Sequence, residues 1–201
     1  MGIDVELDQL AEALRCAIPR HVRDELLQFA ALVQQWNARM DLTAAKGSAQ
    51  LAEVLFADAL VLSRRELIAE GSRVLDVGSG AGAPALPLAI LRSDLSVTLL
   101  EPLRKRTAFM RTACGSIGNL ATRTRVIDGK VELDSPSVAG APFDVAMARA
   151  TFAPEVWLRV GRSLGTRVLV LHTGDEDAAA VAHASYTLPR TNATRVIDAY
   201  E

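Results

Sequence analysis

The apolar residues Val22, Leu26, Phe29, Val33 and Trp36 recur at steps of four, three, four and three, the spacing that lays side chains along one stripe of a helix. They predict a helix running roughly from Arg20 to Met40. A shorter stripe, Leu7, Leu10, Leu14 and Ile18, precedes it and stops at Pro19, which cannot continue a helix. Ser48 is the predicted N-cap of a third helix, with Leu51, Leu55, Ala59 and Leu62 on one face. From Arg73 onward the pattern changes to short β-branched runs separated by helix-length stretches: RVLDVG, SVTLLE, TRVID, FDVAMA and RVLVLH. Such alternation predicts βαβ units and a mostly parallel sheet. Helices are expected after Gly82, over Leu103 to Ile117, after Pro154 and after Asp175. The last two strands, SYTLPR and RVIDAY, are separated only by Thr191 to Thr194, so an antiparallel hairpin is expected to close the sheet. The chain thus divides into a helical extension, residues 1–70, and an α/β core, residues 71–201.

Composition narrows the class. A chain of 201 residues with 50% hydrophobic and 23% charged positions folds around one principal core. Lys and Arg number 22 against 24 Asp and Glu, a formal charge of −2, which excludes capture of nucleic acid by overall charge but not by a local patch. Cys16 and Cys114 are far apart and lack CxxC spacing, which argues against a disulfide framework or a zinc site. Asp4, Glu6 and Asp8 replace the basic start of a leader, and the longest apolar run, Ala83 to Leu91, carries Pro84 and Pro87. A soluble, cytoplasmic protein with no metal site and no membrane partner is expected, with a monomer the favoured state.

The candidate chemistry centres on Asp76-Val77-Gly78-Ser79-Gly80-Ala81-Gly82, which follows a strand and opens a helix. In that context glycines let a ligand approach the backbone and the helix N-terminus. The loop also satisfies a dinucleotide pattern if Ala83 stands for the third glycine. Asp76 separates the two readings, because its charge repels a pyrophosphate and attracts the ammonium of S-adenosylmethionine (SAM). Glu101 ends the second strand, where a carboxylate accepts hydrogen bonds from both ribose hydroxyls of either cofactor. Asp128-Gly129-Lys130-Val131-Glu132 follows the third strand, where an adenine would lie. Arg149 ends the fourth strand on the same crevice, placed to hold a phosphate, a carboxylate or a base edge. His21, His172 and His183 are scattered and read as surface or packing residues. Arg20, His21, Arg23, Arg39 and Lys46, and separately Arg104, Lys105, Arg106 and Arg111, are candidate RNA-facing clusters.

Taken together, Trp36-Asn37, Leu42-Thr43, DVGSGAGAPALPLA at Asp76 to Ala89, LLEPLRKR at Leu99 to Arg106 and ARA at Ala148 to Ala150 resemble the small-subunit ribosomal RNA guanine-N7 methyltransferase family, also called glucose-inhibited division protein B. The resemblance implies a class I SAM-dependent methyltransferase (Rossmann-like) fold with a seven-stranded mostly parallel sheet. It also implies SAM as cofactor, with Gly78, Gly80 and Gly82 at its methionine part, and Asp76 and Ser79 in the same loop. Glu101 would serve the ribose, Lys130, Val131 and Glu132 the adenine side, and Arg149 the catalytic crevice. Small-subunit ribosomal RNA, free or in the subunit, is the implied partner. The sequence departs from the family at Phe56 and Ala59, which flank the retained Asp58, and at Ala81, Pro102, Ala148 and His172-Thr173. Two alternatives follow: a related methyltransferase with a small-molecule or other substrate, and a non-catalytic SAM- or RNA-binding module.

Overall fold

The computed structural model describes residues 2–201. Seven strands, β1 (Arg73–Val77), β2 (Ser96–Glu101), β3 (Thr124–Asp128), β4 (Phe143–Arg149), β5 (Gly165–His172), β6 (Ala182–Thr187) and β7 (Thr194–Tyr200), form one sheet in the order β3-β2-β1-β4-β5-β7-β6. The first five run parallel, and β7 pairs antiparallel with both β5 and β6. The β6–β7 hairpin is therefore present as expected. In β1 every residue after Arg73 is buried, as a central parallel strand covered on both faces requires. The chain order reverses between β1 and β4, so their carboxyl ends diverge into a crevice.

Helices α1 (Ile3–Ala13), α2 (Arg20–Met40), α3 (Gly47–Ala52), α4 (Asp58–Leu62), α5 (Ala85–Leu91) and α6 (Arg104–Ser116) lie on one side of the sheet. A short α7 (Leu120–Arg123), unanticipated in the sequence, leads into β3, and α8 (Pro154–Gly161) packs on the opposite face. Leu7, Leu26, Phe29 and Leu55 from the helical front share one buried cluster with Val74, Leu99 and Met147 of the sheet. Phe109 of α6 meets Phe29 at 6.3 Å and the edge of Trp36 at 5.6 Å between ring centroids. None of the described helices is long and apolar enough to cross a membrane.

Three local expectations need correction. The first stripe does not run to Ile18: α1 ends at Ala13, Arg15 turns left-handed at φ 53°, and Pro19 disfavours a helical Ile18. Ser48 is not an N-cap. The helix begins one residue earlier at Gly47, and the Lys46 N–H donates to Gln50 Oε1 at 2.7 Å, a bond that closes the first turn from within the helix. No helix follows Asp175. The segment turns on Asp177, whose carboxylate accepts the Ala179 N–H at 2.9 Å and the Tyr200 hydroxyl at 2.7 Å, a local side-chain bond that competes with helix formation.

Between α3 and α4 the helix widens into a π turn, Glu53–Ala57. Buried Glu53 accepts the Arg190 N–H at 2.6 Å and the Thr191 hydroxyl at 2.9 Å, which docks the tip of the hairpin onto the helical front. Because the front and the sheet share a core, Phe29→Ala is expected to cost about 3–5 kcal/mol and to lower the midpoint of a single urea transition followed by circular dichroism and Trp fluorescence. Two separate transitions would show instead that residues 1–70 unfold independently.

Candidate active site

After Val77 the backbone crosses to the crevice through Gly78, Gly80 and Gly82, with φ of 78°, 57° and 79°. These left-handed conformations favour glycine, but the steric demands differ. A Cβ on Gly78 would lie 2.2 Å from Thr151 Oγ1 and one on Gly82 2.6 Å from Leu86 Cδ1, whereas the nearest atom to a Cβ on Gly80 is 4.0 Å away. The Gly78 N–H donates to Leu100 O at 2.8 Å, stitching the loop to β2. Ser79 turns inward and its hydroxyl donates to Asp76 O at 3.0 Å.

Glu101 is buried and has a role that the sequence did not reveal. Its Oε2 accepts the Gly80 N–H at 2.9 Å and its Oε1 the Leu103 N–H at 3.1 Å. One carboxylate thus fixes both the glycine loop and the start of α6. Each oxygen has a second lone pair, so this structural work is compatible with binding ribose hydroxyls. Arg106 stands 3.9 Å from Oε1.

Asp76 lies sealed beneath the loop at 1% exposure, deeper than its position at a strand end suggested, and its Oδ2 has no hydrogen-bond partner. Burial pushes its pKa up to about 6, with the adjacent Ser79 hydroxyl and the Arg149 charge opposing the shift. A buried carboxylate oxygen without a partner is an unfilled acceptor for a cation, and the ammonium of SAM fits that chemistry.

Beside the loop, Val77, Gly78, Leu100, Pro102 and the 129–133 segment enclose a cavity of about 380 Å³, closed by Thr151 and Phe152. Lys130, Val131 and Glu132 all line it. Only Val131 is buried; Lys130 and Glu132 are exposed and pair with each other at 3.1 Å. The wall is therefore apolar, as suits a purine. Phe152 stacks on Trp157 at 5.8 Å and 9°. Thr151 and Phe152 escaped the sequence reading because they follow β4 with no motif of their own, while Ala150 between them and Arg149 takes φ 54°.

Arg149 ends β4 on the other side of the crevice. Its Nη1 donates to Asp58 Oδ2 at 2.7 Å and to Val54 O in the π turn at 3.1 Å, and its Nη2 donates to Ala83 O at 2.9 Å. The hydroxyl of Tyr186 in β6 donates to Asp58 Oδ1. Burial and the neighbouring Asp58 carboxylate hold that hydroxyl well above its usual pKa. Asp58 and Tyr186 thus join the site from α4 and from the hairpin. His172 does not reach this network: its Nε2 lies 2.9 Å from buried Asp198, and its Nδ1 accepts the Gly174 N–H at 3.1 Å. Of the basic clusters, Arg23 pairs with Asp8 at 2.7 Å and Arg111 with Asp128 at 3.0 Å, while Arg20, His21, Arg39 and Lys46 of the first and Arg104 and Lys105 of the second are exposed.

The sequence model of the family described as rRNA small subunit methyltransferase G matches residues 23–185. The chain belongs to this family. Family membership makes the protein a SAM-dependent methyltransferase. Among curated relatives, the ribosomal RNA small subunit methyltransferase G of Anaeromyxobacter dehalogenans is 32% identical over 92% of this chain and 91% of its own length. The protein of the same name from Clostridium beijerinckii is 33% identical over 72% of this chain and 60% of its own. The fold is shared with a solved Pyrococcus horikoshii protein assigned as an RNA methyltransferase, at a TM-score of 0.55 and 14% identity over 88% of this chain and 97% of that one.

The glycine geometry makes a graded prediction. Gly78→Ala combines an unfavourable φ with a clash against the short, branched Thr151 side chain and is expected to cost at least about 2 kcal/mol. Gly80→Ala, strained but unobstructed, is expected to cost about 1 kcal/mol. Urea midpoints of the two variants test the order, and equal losses would contradict it.

Proposed function

We propose that the protein transfers the methyl group of SAM to N7 of a guanine in small-subunit ribosomal RNA, acting in the cytoplasm as a single chain. The observation that carries the reading is the crevice between β1 and β4, in a chain whose family match spans residues 23–185. There the glycine loop and Glu101 form one rim and Arg149 the other. Bound SAM supplies an electrophilic methyl group on a sulfonium. Guanine N7 has an exposed lone pair, so positioning accounts for the catalysis and no proton need be removed from the acceptor. The loop backbone and Glu101 would hold the nucleoside, and Asp76 the ammonium. Val131 and Phe152 would wall the adenine side, with Lys130 and Glu132 at its mouth.

Arg149 is the proposed catalytic residue, presenting its guanidinium to a phosphate or base edge of the RNA. Asp58 and Tyr186 are positioning residues, because they fix the guanidinium from behind. The departures at Phe56 and Ala59 bear less on the crevice than their sequence position suggested: both side chains are fully buried in the apolar core, so packing replaces polarity there. These departures therefore give no ground for replacing RNA by a small-molecule substrate.

Labelled SAM incubated with small ribosomal subunits and with naked small-subunit RNA is expected to yield 7-methylguanosine; none from either substrate, while SAM binds, would overturn the reading. Tyr186→Phe is expected to keep SAM affinity within a few fold and to lower the methylation rate three- to tenfold, about 0.7–1.4 kcal/mol in the barrier. An unchanged rate would remove Tyr186 from the positioning network.

The pKa of Asp76 adds a pH signature. The unfolded chain loses this proton near pH 4 and the folded chain near 6, so the group's contribution to the stability of ligand-free protein falls as pH rises between those values. An ammonium beside the carboxylate reverses the preference. SAM affinity is therefore expected to fall by about tenfold between pH 7 and pH 5, with proton release on binding at pH 6. Calorimetry in buffers of different ionisation enthalpy reads that release, and its persistence in Asp76→Asn would assign it elsewhere.

A further inference from the structure

The opposite end of the sheet carries a second polar cavity. Strand alternation places Arg73 of β1, Ser96 and Thr98 of β2, and Arg125 of β3 on one face, since Arg73 registers with Ser96 and Thr98 with Arg125. Arg123 enters from the end of α7, and the 139–143 segment closes the far wall around a space of about 240 Å³. Ser96 at its edge is five residues before Glu101 along β2, about 17 Å from the crevice.

Three guanidinium groups surround this space, and among the described residues no carboxylate lines it. Their hydrogen bonds go to neutral acceptors. Arg73 Nη1 donates to Pro142 O at 3.1 Å and its guanidinium carbon lies 5.2 Å from the centre of the Phe143 ring. Arg123 Nε donates to Asn119 Oδ1 at 3.0 Å and Arg125 Nη1 to Ala139 O at 3.5 Å. The nearest acids are committed elsewhere or remote. Asp94 is held by Arg92 at 2.6 Å, Asp144 accepts the Arg73 main-chain N–H at 2.7 Å, and both Glu25 and Asp94 act on Arg123 only through space, without an ion-pair contact. Arg123 is half-buried, and burial holds its pKa below the usual arginine value. Gathering three unneutralised cations, one of them partly desolvated, is unfavourable unless an anion shares the space. Planar guanidinium forks with hydroxyls beside them match a tetrahedral oxyanion.

We propose that this cavity binds a phosphate group, through the guanidinium groups of Arg73, Arg123 and Arg125 and the hydroxyls of Ser96 and Thr98. Two sources share that chemistry: a phosphodiester of an RNA strand and a free phosphate or phosphomonoester. The site is independent of the methyl-transfer reading, because it lies beyond reach of the crevice.

The test uses the full chain, isotope-labelled, titrated with inorganic phosphate at low ionic strength while amide resonances are followed. Shifts are expected at Ser96 to Thr98 and Thr122 to Arg125. Exposed Arg125→Ala is expected to weaken binding at least fivefold, whereas Arg159→Ala, which removes the same charge from α8, is expected to leave it unchanged. SAM affinity serves as the folding control for both variants. Adenosine 5′-monophosphate binding more tightly than a 5′-hydroxyl RNA hexamer would support the site with a phosphomonoester as its ligand; the reverse would support it with an RNA strand. Absence of localised shifts with phosphate, the nucleotide and the hexamer alike, or equal weakening by Arg125→Ala and Arg159→Ala, would overturn the proposal.

Discussion

The ion pair between Arg149 and Asp58 holds together segments that are 91 residues apart. One guanidinium reaches α4, the π turn and the peptide oxygen of Ala83 beyond the glycine loop, and the Asp58 carboxylate in turn accepts from Tyr186, 128 residues away. A buried pair of this kind adds little net stability over apolar packing, but breaking one side strands a charge at about 3–5 kcal/mol. Its consequence is geometric. The helical front, the crevice end of β4 and the terminal hairpin cannot move independently, so the floor of the crevice is set by parts of the chain that carry no cofactor motif.

Similar ties recur around the fold. Arg92, nearly buried, donates to Ser63 O, Ile68 O and Ala69 O while its Nη2 meets Asp94 at 2.6 Å. It thereby fixes the turn through which the helices hand over to β1. Glu53 holds the hairpin tip, and Glu101 holds the glycine loop. Each replaces several backbone partners that an irregular buried segment would otherwise lack. Asp76 differs from these: its Oδ2, like Asp198 Oδ1, is buried without a hydrogen-bond partner, and among the charged groups of the crevice it is the one with an acceptor left unfilled.

The α/β rhythm, the hairpin and the long second helix were legible because periodicity reports which face of an element is covered. The glycine loop was legible because left-handed backbone restricts the residue type. The failures have a common origin. Ser48 and Asp175 carry the right chemistry for helix starts, but Gln50 closes the turn from inside the helix and Asp177 spends its carboxylate on a turn held by Tyr200. Local propensity loses wherever a partner distant in sequence, or a competing side chain, offers a better bond.

The sequence by itself determined the class of fold, the place of the crevice and the glycine loop after β1, since these follow from short-range patterns and from backbone constraints. Only the tertiary structure decided what the charged side chains do. It showed that Glu101 braces the loop it faces, that Asp76 is sealed beneath it, that Lys130 and Glu132 pair on the surface, and that Arg149 is anchored by Asp58 with Tyr186 behind it. The physical reason is that a charge is defined by its partners and its burial, and both are set by residues tens of positions away.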